Sequence, residues 1–318
     1  LKKFKLLLGE RAINLNKSIL INITKLTRIH FVIGGLIAFI LGALIGLIYE
    51  ATMDIEKLVF GYAILFCAHL SVSFSNDYFD SESDKNSHPT IFSGGSGVLV
   101  KHPELKGFSK KIAILLIVLS IALGTVFTIY YSFPWTFLGF VIIGNLLGWY
   151  YSAPPVRLVS RGLGELSTMV TAGILLPGMG YFIVVGGFDA NFLIFILPIL
   201  FYGLAFILNV EIPDLESDKM GDKTTFIVKY DRSFGFALIA FLFAISSIYF
   251  FTLSFIVESS INFLVVTLIS LLPLFFGVFS AIIRPKDRKS ATKYVTSNVA
   301  SYIFFLIILD IYFIWLIT

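Results

Sequence analysis

Two groups of acidic residues stand in a chain otherwise short of charge. The first, in FSNDYFDSESD, holds Asn76, Asp77, Asp80, Glu82 and Asp84; the second, in NVEIPDLESDKMGDK, holds Asp214, Asp218 and Asp222. Asp77, Asp80 and Asp84 fall at i, i+3 and i+7, and Asp214, Asp218 and Asp222 at i, i+4 and i+8. Either spacing places its carboxylates on one face of a helix. Acids crowded in this way repel one another unless something positive sits among them. Hard oxygen donors with no histidine or cysteine beside them suit a hard cation, and Mg2+ binds through a few carboxylates together with substrate phosphates. An EF-hand is disfavoured, because DYFDSESDKNSH lacks the Asp-x-Asp-x-Asp-Gly spacing and its closing glutamate. Zinc is disfavoured too: His30, His69, His88 and His102 are scattered, and Cys67 is the only cysteine.

Basic and aromatic residues share these polar segments. Lys219, Lys223 and Lys229 follow the second cluster, and WYYSAPPVRLVSRGLGEL supplies Tyr150, Tyr151, Arg157 and Arg161. Carboxylates that hold metal, with Lys and Arg nearby to neutralise phosphate oxygens, are what a bound Mg2+–polyphosphate requires. The intervening FSGGSGVL, residues 92–99, reads as a flexible linker that could also cap such a site.

The elements that position these residues follow from composition. Of 318 residues, 57% are hydrophobic and only 14% charged, and the mean hydropathy is +0.91. A soluble domain carries about 25% charged residues, so the chain reads as an integral membrane protein. Nine runs are long and apolar enough to cross a bilayer as helices, near 30–50, 57–76, 111–132, 134–152, 163–185, 191–210, 233–256, 262–283 and 294–317. No segment alternates as a barrel strand would. The expected fold is all-α, a bundle of nine transmembrane helices. The basic N-terminus is followed by an apolar run too long for a signal peptide, with no small-residue cleavage site, and reads as a retained first span.

Charge gives the orientation. The N-terminal segment and alternate loops hold 23 of the 24 Lys and Arg residues, and the opposite loops only Lys57. That asymmetry predicts a cytoplasmic N-terminus and accounts for the net charge of +4 with no nucleic-acid partner. Residues 1–28, which mix Lys with Leu, Ile and Phe, read as an interfacial segment on the cytoplasmic surface, with the transmembrane domain at 29–318. Both acidic clusters then fall at cytoplasmic ends, of spans two and six. Spans one to four and five to eight look like two related four-helix halves, plus a ninth helix, that bring the clusters together across a pseudo-two-fold axis. Asp310 is the sole acid deep in a span and reads as a packing or polar lumen contact. Gly144, Gly148, Gly178 and Gly180 read as helix-packing positions. Nothing in the sequence sets the oligomeric state.

These residues resemble a known family. NDYFDSESD resembles the Asn-Asp-x-x-Asp-x-x-x-Asp signature of the UbiA superfamily of intramembrane prenyltransferases, DLESD its second Asp-x-x-x-Asp signature, and YSAPPVR its Tyr-Ser-x-Pro-Pro segment. The resemblance runs from about residue 25 to the end. It implies a polyprenyl diphosphate with its tail among the helices and its head on Mg2+ between the two motifs. An allylic cation then forms and is attacked by an electron-rich acceptor, usually an aromatic ring. By the same resemblance Asn76, Asp77, Asp80 and Asp84 match the first metal motif and Asp214 and Asp218 the second, with Asp222 one turn beyond. Tyr151 and Ser152 match the pair that faces the reacting centre; Arg157 and Lys223 are expected to contact the diphosphate, and Arg28, in LTRIHF, to face the site.

The acceptor is read from a departure. Family branches that make ether lipids, chlorophyll or prenylated hydroxybenzoate typically follow the first motif with Arg-Pro. Here NSHPTIFSGG follows instead, with no Arg between 76 and 110, closer to the naphthoate branch that makes menaquinone. The expectation is therefore a Mg2+-dependent transfer to a dihydroxynaphthoate-type ring. Transfer to geranylgeranylglyceryl phosphate or another aromatic ring is the alternative within the class. A cation-coupled transporter is the alternative outside it, although transporters place their charged ligands nearer the midplane.

Overall fold

Apolar runs, most of them opened by a capping side chain, set the architecture. The computed structural model describes residues 19–49, 52–86, 89–90, 92–221 and 223–318. Its long helices are Ile29–Tyr49 (α1), Ile55–Asp80 (α2), Lys106–Tyr130 (α3), Trp135–Ser152 (α4), Gly164–Val185 (α5), Ala190–Glu211 (α6), Arg232–Ile256 (α7), Phe263–Ile283 (α8) and Arg288–Ile317 (α9). Asp54, Asp189, Asp231, Asn262 and Asp287 accept a backbone N–H in the first turn of α2, α6, α7, α8 and α9. Five side chains of the chain's small polar complement thus satisfy orphan donors at helix starts. Among the described residues there is no strand, as the all-α expectation requires.

Eight of these helices, α1 to α3 and α5 to α9, are long and apolar enough to span a membrane. The expected fourth span is helical over 18 residues, but Asn145 and the polar Trp149–Ser152 end dilute it below the others. Of the interfacial segment expected at 1–28, residues 19–26 are helical and expose Ile19, Leu20 and Ile21; residues 1–18 lie outside the described residues. Phe255, Ile282 and Trp315 are about 70% exposed, an outer surface that suits lipid rather than water.

Lipid tails are as apolar as leucine, so close packing holds such a bundle together. α1 crosses α5 with backbones touching: a Cβ at Gly42 would overlap the carbonyl of Pro177, and one at Gly180 that of Phe39. Just before Pro177, which lacks an N–H, α5 widens into a π-helical turn at Thr171–Leu175. α2 packs on α3, α4 and α5, α6 on α5, α7 and α9, and α9 returns to α1 and closes the ring. The expectation for the four glycines divides. Gly178 packs against Phe140 and Phe188, and Gly180 against α1, whereas Gly144 and Gly148 line a cavity.

Candidate active site

Both acidic clusters meet at one end of the bundle. The first is not one continuous helical face. α2 carries Asp77 and Asp80 and stops there; the chain turns through Ser83–Asn86, a 3-10 turn that brings Asp84 back to the same side. The second starts with a 3-10 turn, Ile212–Asp214, where Pro213 costs no hydrogen bond, and resumes as the short helix Leu215–Met220. Asp222 lies outside the described residues. Asn76, Asp77, Asp80, Asp84, Asp214 and Asp218 all line a cavity of about 100 Å3.

The walls are braced from behind. The guanidinium of Arg232 is buried and donates to the carbonyl of Ile212 (3.0 Å), that of Lys286 (3.1 Å) and both carboxylate oxygens of Glu216. Arg288 Nε donates to the carbonyl of Pro213 (2.9 Å). Two cations on α7 and α9 therefore fix the backbone on which Asp214 and Asp218 stand. Ser152, at the end of α4, donates to Asp80 Oδ2 at 2.7 Å.

The Gly-rich linker is docked onto the acids as a cap. Ser96 donates its N–H to Asp77 Oδ1 (3.2 Å) and its hydroxyl to Asp77 Oδ2, and Ser93 of the same loop lines the cavity together with Asp214. One loop thereby reaches both clusters. Gly95 has φ +66°, and a Cβ there would collide with the Asp84 carboxylate, so glycine is needed for both conformation and space.

Lys223 is the positive charge among the acids. Its Nζ lies 2.9 Å from Asp218 Oδ1, with the lysine side chain 18% and the aspartate 8% exposed. Burial alone would lower the ammonium pKa, but the charges of Asp218 and Asp80 outweigh it and hold the group above the usual lysine range. The Asp84 carboxyl moves the other way, pushed up to about 7 by burial and by the neighbouring Asp80 charge. Arg28, at φ +46°, stacks on the Phe31 ring at 4.5 Å and lines the cavity. Arg157 does not: it is exposed at the start of the turn Leu158–Ser160 and is not among the cavity's residues.

Hard oxygens are left over. Asn76 Oδ1, Asp80 Oδ1 and Asp214 Oδ1 are buried without a hydrogen-bond partner, and all three residues line the same cavity. Lone oxygen acceptors around a cavity fit a bound cation. Among the described residues no three of the acids close on a single point, so an ion held here would take its remaining ligands from phosphate oxygens or water, as Mg2+ commonly does.

Tyr151 marks where the site changes character. It lines the polar cavity and also a second, mainly apolar one of about 250 Å3, as do Arg28, Asn76, Ile207 and Val210. The second cavity runs into the bundle past Leu65, Val72, Leu147 and Phe206. Several site residues escaped sequence reasoning. Glu211 and Glu165 are buried against each other, with three of their four oxygens unpartnered, and Glu165 Oε1 accepts the N–H of Phe226 at 2.5 Å, fixing the loop behind Lys223. Glu211 stood in the quoted NVEIPD and Glu165 in GLGEL, but each is one carboxylate without a spaced partner. Asp310 is buried away from both cavities, with Oδ1 unpartnered.

Comparison with known proteins agrees with this geometry. The model of the UbiA prenyltransferase family matches residues 35–309. The 1,4-dihydroxy-2-naphthoate octaprenyltransferase of Bacillus subtilis (strain 168) is 21% identical over 201 residues, which are 62% of this chain and 63% of that protein. The match thus spans less than two thirds of the curated relative's length. Two solved structures share the fold: digeranylgeranylglyceryl phosphate synthase (TM-score 0.60, 19% identity, 92% of this chain and 99% of that one) and a UbiA homolog from Archaeoglobus fulgidus bound to GPP and Mg2+ (TM-score 0.62, 16% identity, 90% and 99%). With a multi-pass helical bundle, two acidic motifs at one cavity and a family match over most of its length, the chain belongs to the UbiA prenyltransferase family.

Proposed function

We propose that the chain transfers a polyprenyl group from its diphosphate to an aromatic quinone precursor of the dihydroxynaphthoate type, releasing pyrophosphate. The observation that carries this reading is the joining of two unlike cavities at Asn76 and Tyr151. A carboxylate-ringed chamber opening into an apolar one suits a donor with a charged head and a hydrocarbon tail. The A. fulgidus homolog bound to GPP and Mg2+ supports that donor class, and the naphthoate octaprenyltransferase supports the acceptor.

Asn76, Asp77, Asp80, Asp84, Asp214 and Asp218 would hold Mg2+ together with diphosphate oxygens. Bound there, Mg2+ neutralises the negative charge that the departing diphosphate gains. Lys223 and Arg28 donate to phosphate oxygens that the carboxylates would otherwise repel. Ser152 keeps Asp80 turned toward the cavity. Tyr151, at the junction, presents its ring to the carbon that becomes cationic as its bond to oxygen breaks. The apolar walls exclude water, which would quench that cation before the ring attacks. We read α4 as the ninth crossing, α1–α4 and α5–α8 as related halves, and the site's end as cytoplasmic because basic residues flank it.

A glyceryl phosphate acceptor is the second reading, favoured by the fold shared with digeranylgeranylglyceryl phosphate synthase. The absence of Arg between 76 and 110 favours the ring. Purified protein with Mg2+ and radiolabelled geranylgeranyl diphosphate, offered dihydroxynaphthoate, hydroxybenzoate, homogentisate or geranylgeranylglyceryl phosphate, separates the two. A prenylated naphthoate is expected. Product from the glyceryl phosphate alone would overturn the acceptor assignment and keep the donor chemistry.

A further inference from the structure

We propose that the groove between the helical residues 19–26 and the Gly-rich cap loop is the acceptor's site, and that it takes an aromatic acid with the carboxylate on Lys25. The inference rests on the aromatic reading above and gives the ring a place that the donor leaves open.

The donor as read above fills two spaces, its diphosphate the acidic chamber and its tail the apolar cavity. A transfer between two bound substrates needs a second way in, one that a seated donor does not block. A third space, of about 580 Å3, adjoins the other two and falls in the range of about 300–1,000 Å3 usual for small-molecule sites. Arg28 lines all three, and Gly95 lines both this groove and the chamber. With Asn76 and Tyr151, Arg28 also stands at the junction of the chamber and the apolar cavity. The groove therefore reaches the place where the donor's reacting carbon would lie.

Charge selects what enters. Among the described residues the groove is lined by Lys25, Arg28 and the His30 ring and by no carboxylate, whereas Asp77, Asp80, Asp84, Glu211, Asp214 and Asp218 ring the chamber. An anion is repelled from the acidic side and attracted to the basic one. The two cations are not equivalent. The charge of Arg28 is felt by Asp77 and Asp84, so it is committed to the chamber and to the donor. Lys25 lines only the groove of these three spaces and pairs with no carboxylate among the described residues. Its carbonyl accepts the N–H of Arg28 at 3.2 Å, which sets one cation a turn before the other. Leu20, Ile21 and Ile29 make the remaining wall apolar, which suits a ring rather than a bare anion. An acid whose carboxylate rests on Lys25 thus carries its ring toward Arg28 and the junction.

The test uses the purified protein in neutral detergent with Mg2+ and geranylgeranyl diphosphate, with initial rates measured against donor and 1,4-dihydroxy-2-naphthoate separately. Naphthalene-1,4-diol, the same ring without the carboxylate, is measured as a competitive inhibitor against the naphthoate. Lys25→Glu should raise the naphthoate KM about 5- to 25-fold, with the donor KM and the diol Ki within about twofold. Losing an exposed ion contact is worth up to about fivefold, and the like charge that replaces it about as much again. Lys25→Arg should keep the naphthoate KM within about threefold. Ile21→Trp, which fills the groove without changing charge, should raise the naphthoate KM and the diol Ki together. A merely structural role for Lys25 would move diol and naphthoate alike, and that result overturns the proposal. So does an unchanged naphthoate KM, or a donor KM that rises with it, which would put the groove on the donor's path. A Lys25→Glu defect confined to phosphatidylglycerol vesicles and absent in detergent would make Lys25 a lipid contact and overturn it as well. Each of these leaves the aromatic reading intact. Wild-type protein that prenylates geranylgeranylglyceryl phosphate but not the naphthoate would overturn that reading and this inference with it.

Discussion

Replacing Lys223 by methionine separates the two charges that the site must manage. In the ligand-free protein its ammonium neutralises Asp218 at 2.9 Å and is also drawn toward Asp80 and Asp84. At an effective dielectric of about 20 that one pair attracts by about 6 kcal/mol; desolvation offsets much of it, and breaking a buried pair costs about 3–5 kcal/mol. Because the lysine side chain remains 18% exposed, a loss near the lower figure is expected, read as a lower Tm without metal. Two binding constants should then move in opposite directions. Removing a cation from a ring of carboxylates strengthens Mg2+ binding, because one repulsion is gone. Removing a donor to phosphate weakens diphosphate binding by about 1.5–3 kcal/mol, roughly 10- to 150-fold. Initial rates with Mg2+ and geranylgeranyl diphosphate varied independently, alongside thermal melts with and without Mg2+, measure all three effects. Saturating Mg2+ should restore most of the lost Tm. If Mg2+ affinity and donor affinity fall together, or if the donor KM stays at its wild-type value, Lys223 is not the phosphate-facing counter-ion described here.

Other outcomes follow from the same geometry. Asp77→Ala and Asp218→Ala should each reduce transfer by at least about 1,000-fold in protein that still elutes as folded in detergent, and chelation should stop the wild type until Mg2+ is returned; normal turnover in both variants would remove the acids from the chemistry. Asp84 keeps its proton up to about pH 7, so a proton competes with the cation below that value. Mg2+ affinity measured by titration should fall about tenfold per pH unit as pH drops below 7 and level off above it; a flat profile from pH 6 to 8 refutes the assignment. Arg28→Ala should raise the donor KM about tenfold or more, whereas Arg157→Ala, exposed and outside the cavity, should change it by less than about threefold.

Much of this molecule is legible in its sequence because a bilayer narrows the choices. Without water to satisfy backbone groups, an apolar run must become a helix, so nine candidate spans could be counted from hydropathy, and the acids and cations had to gather where those spans end. All nine are helices, and eight are long and apolar enough to span a membrane; α4 falls short because Asn145 and its polar end dilute it. Asp77, Asp80, Asp214 and Asp218 were recognisable because two spaced carboxylate sets on one side of a membrane are rare.

What sequence could not decide is where the chain goes between helices and which side chains meet across them. The stop of α2 at Asp80, and the return of Asp84 through a 3-10 turn, depend on a local choice that spacing alone does not fix. Ser93 and Ser96 reach the acids because a glycine loop folds back over them. Arg157 was expected beside the diphosphate because it stands in the YSAPPVR segment that carries the family resemblance, yet a left-handed turn after the end of α4 carries it outward. Glu165 and Glu211 meet only when α5 packs on α6, and His69 faces a cavity only because Gly35 leaves room for its ring. Sequence determined which segments cross the membrane and where charge collects, since both follow from transfer energies summed over a few residues. Tertiary structure alone decided which polar groups share a cavity, since that depends on contacts between residues far apart in the chain.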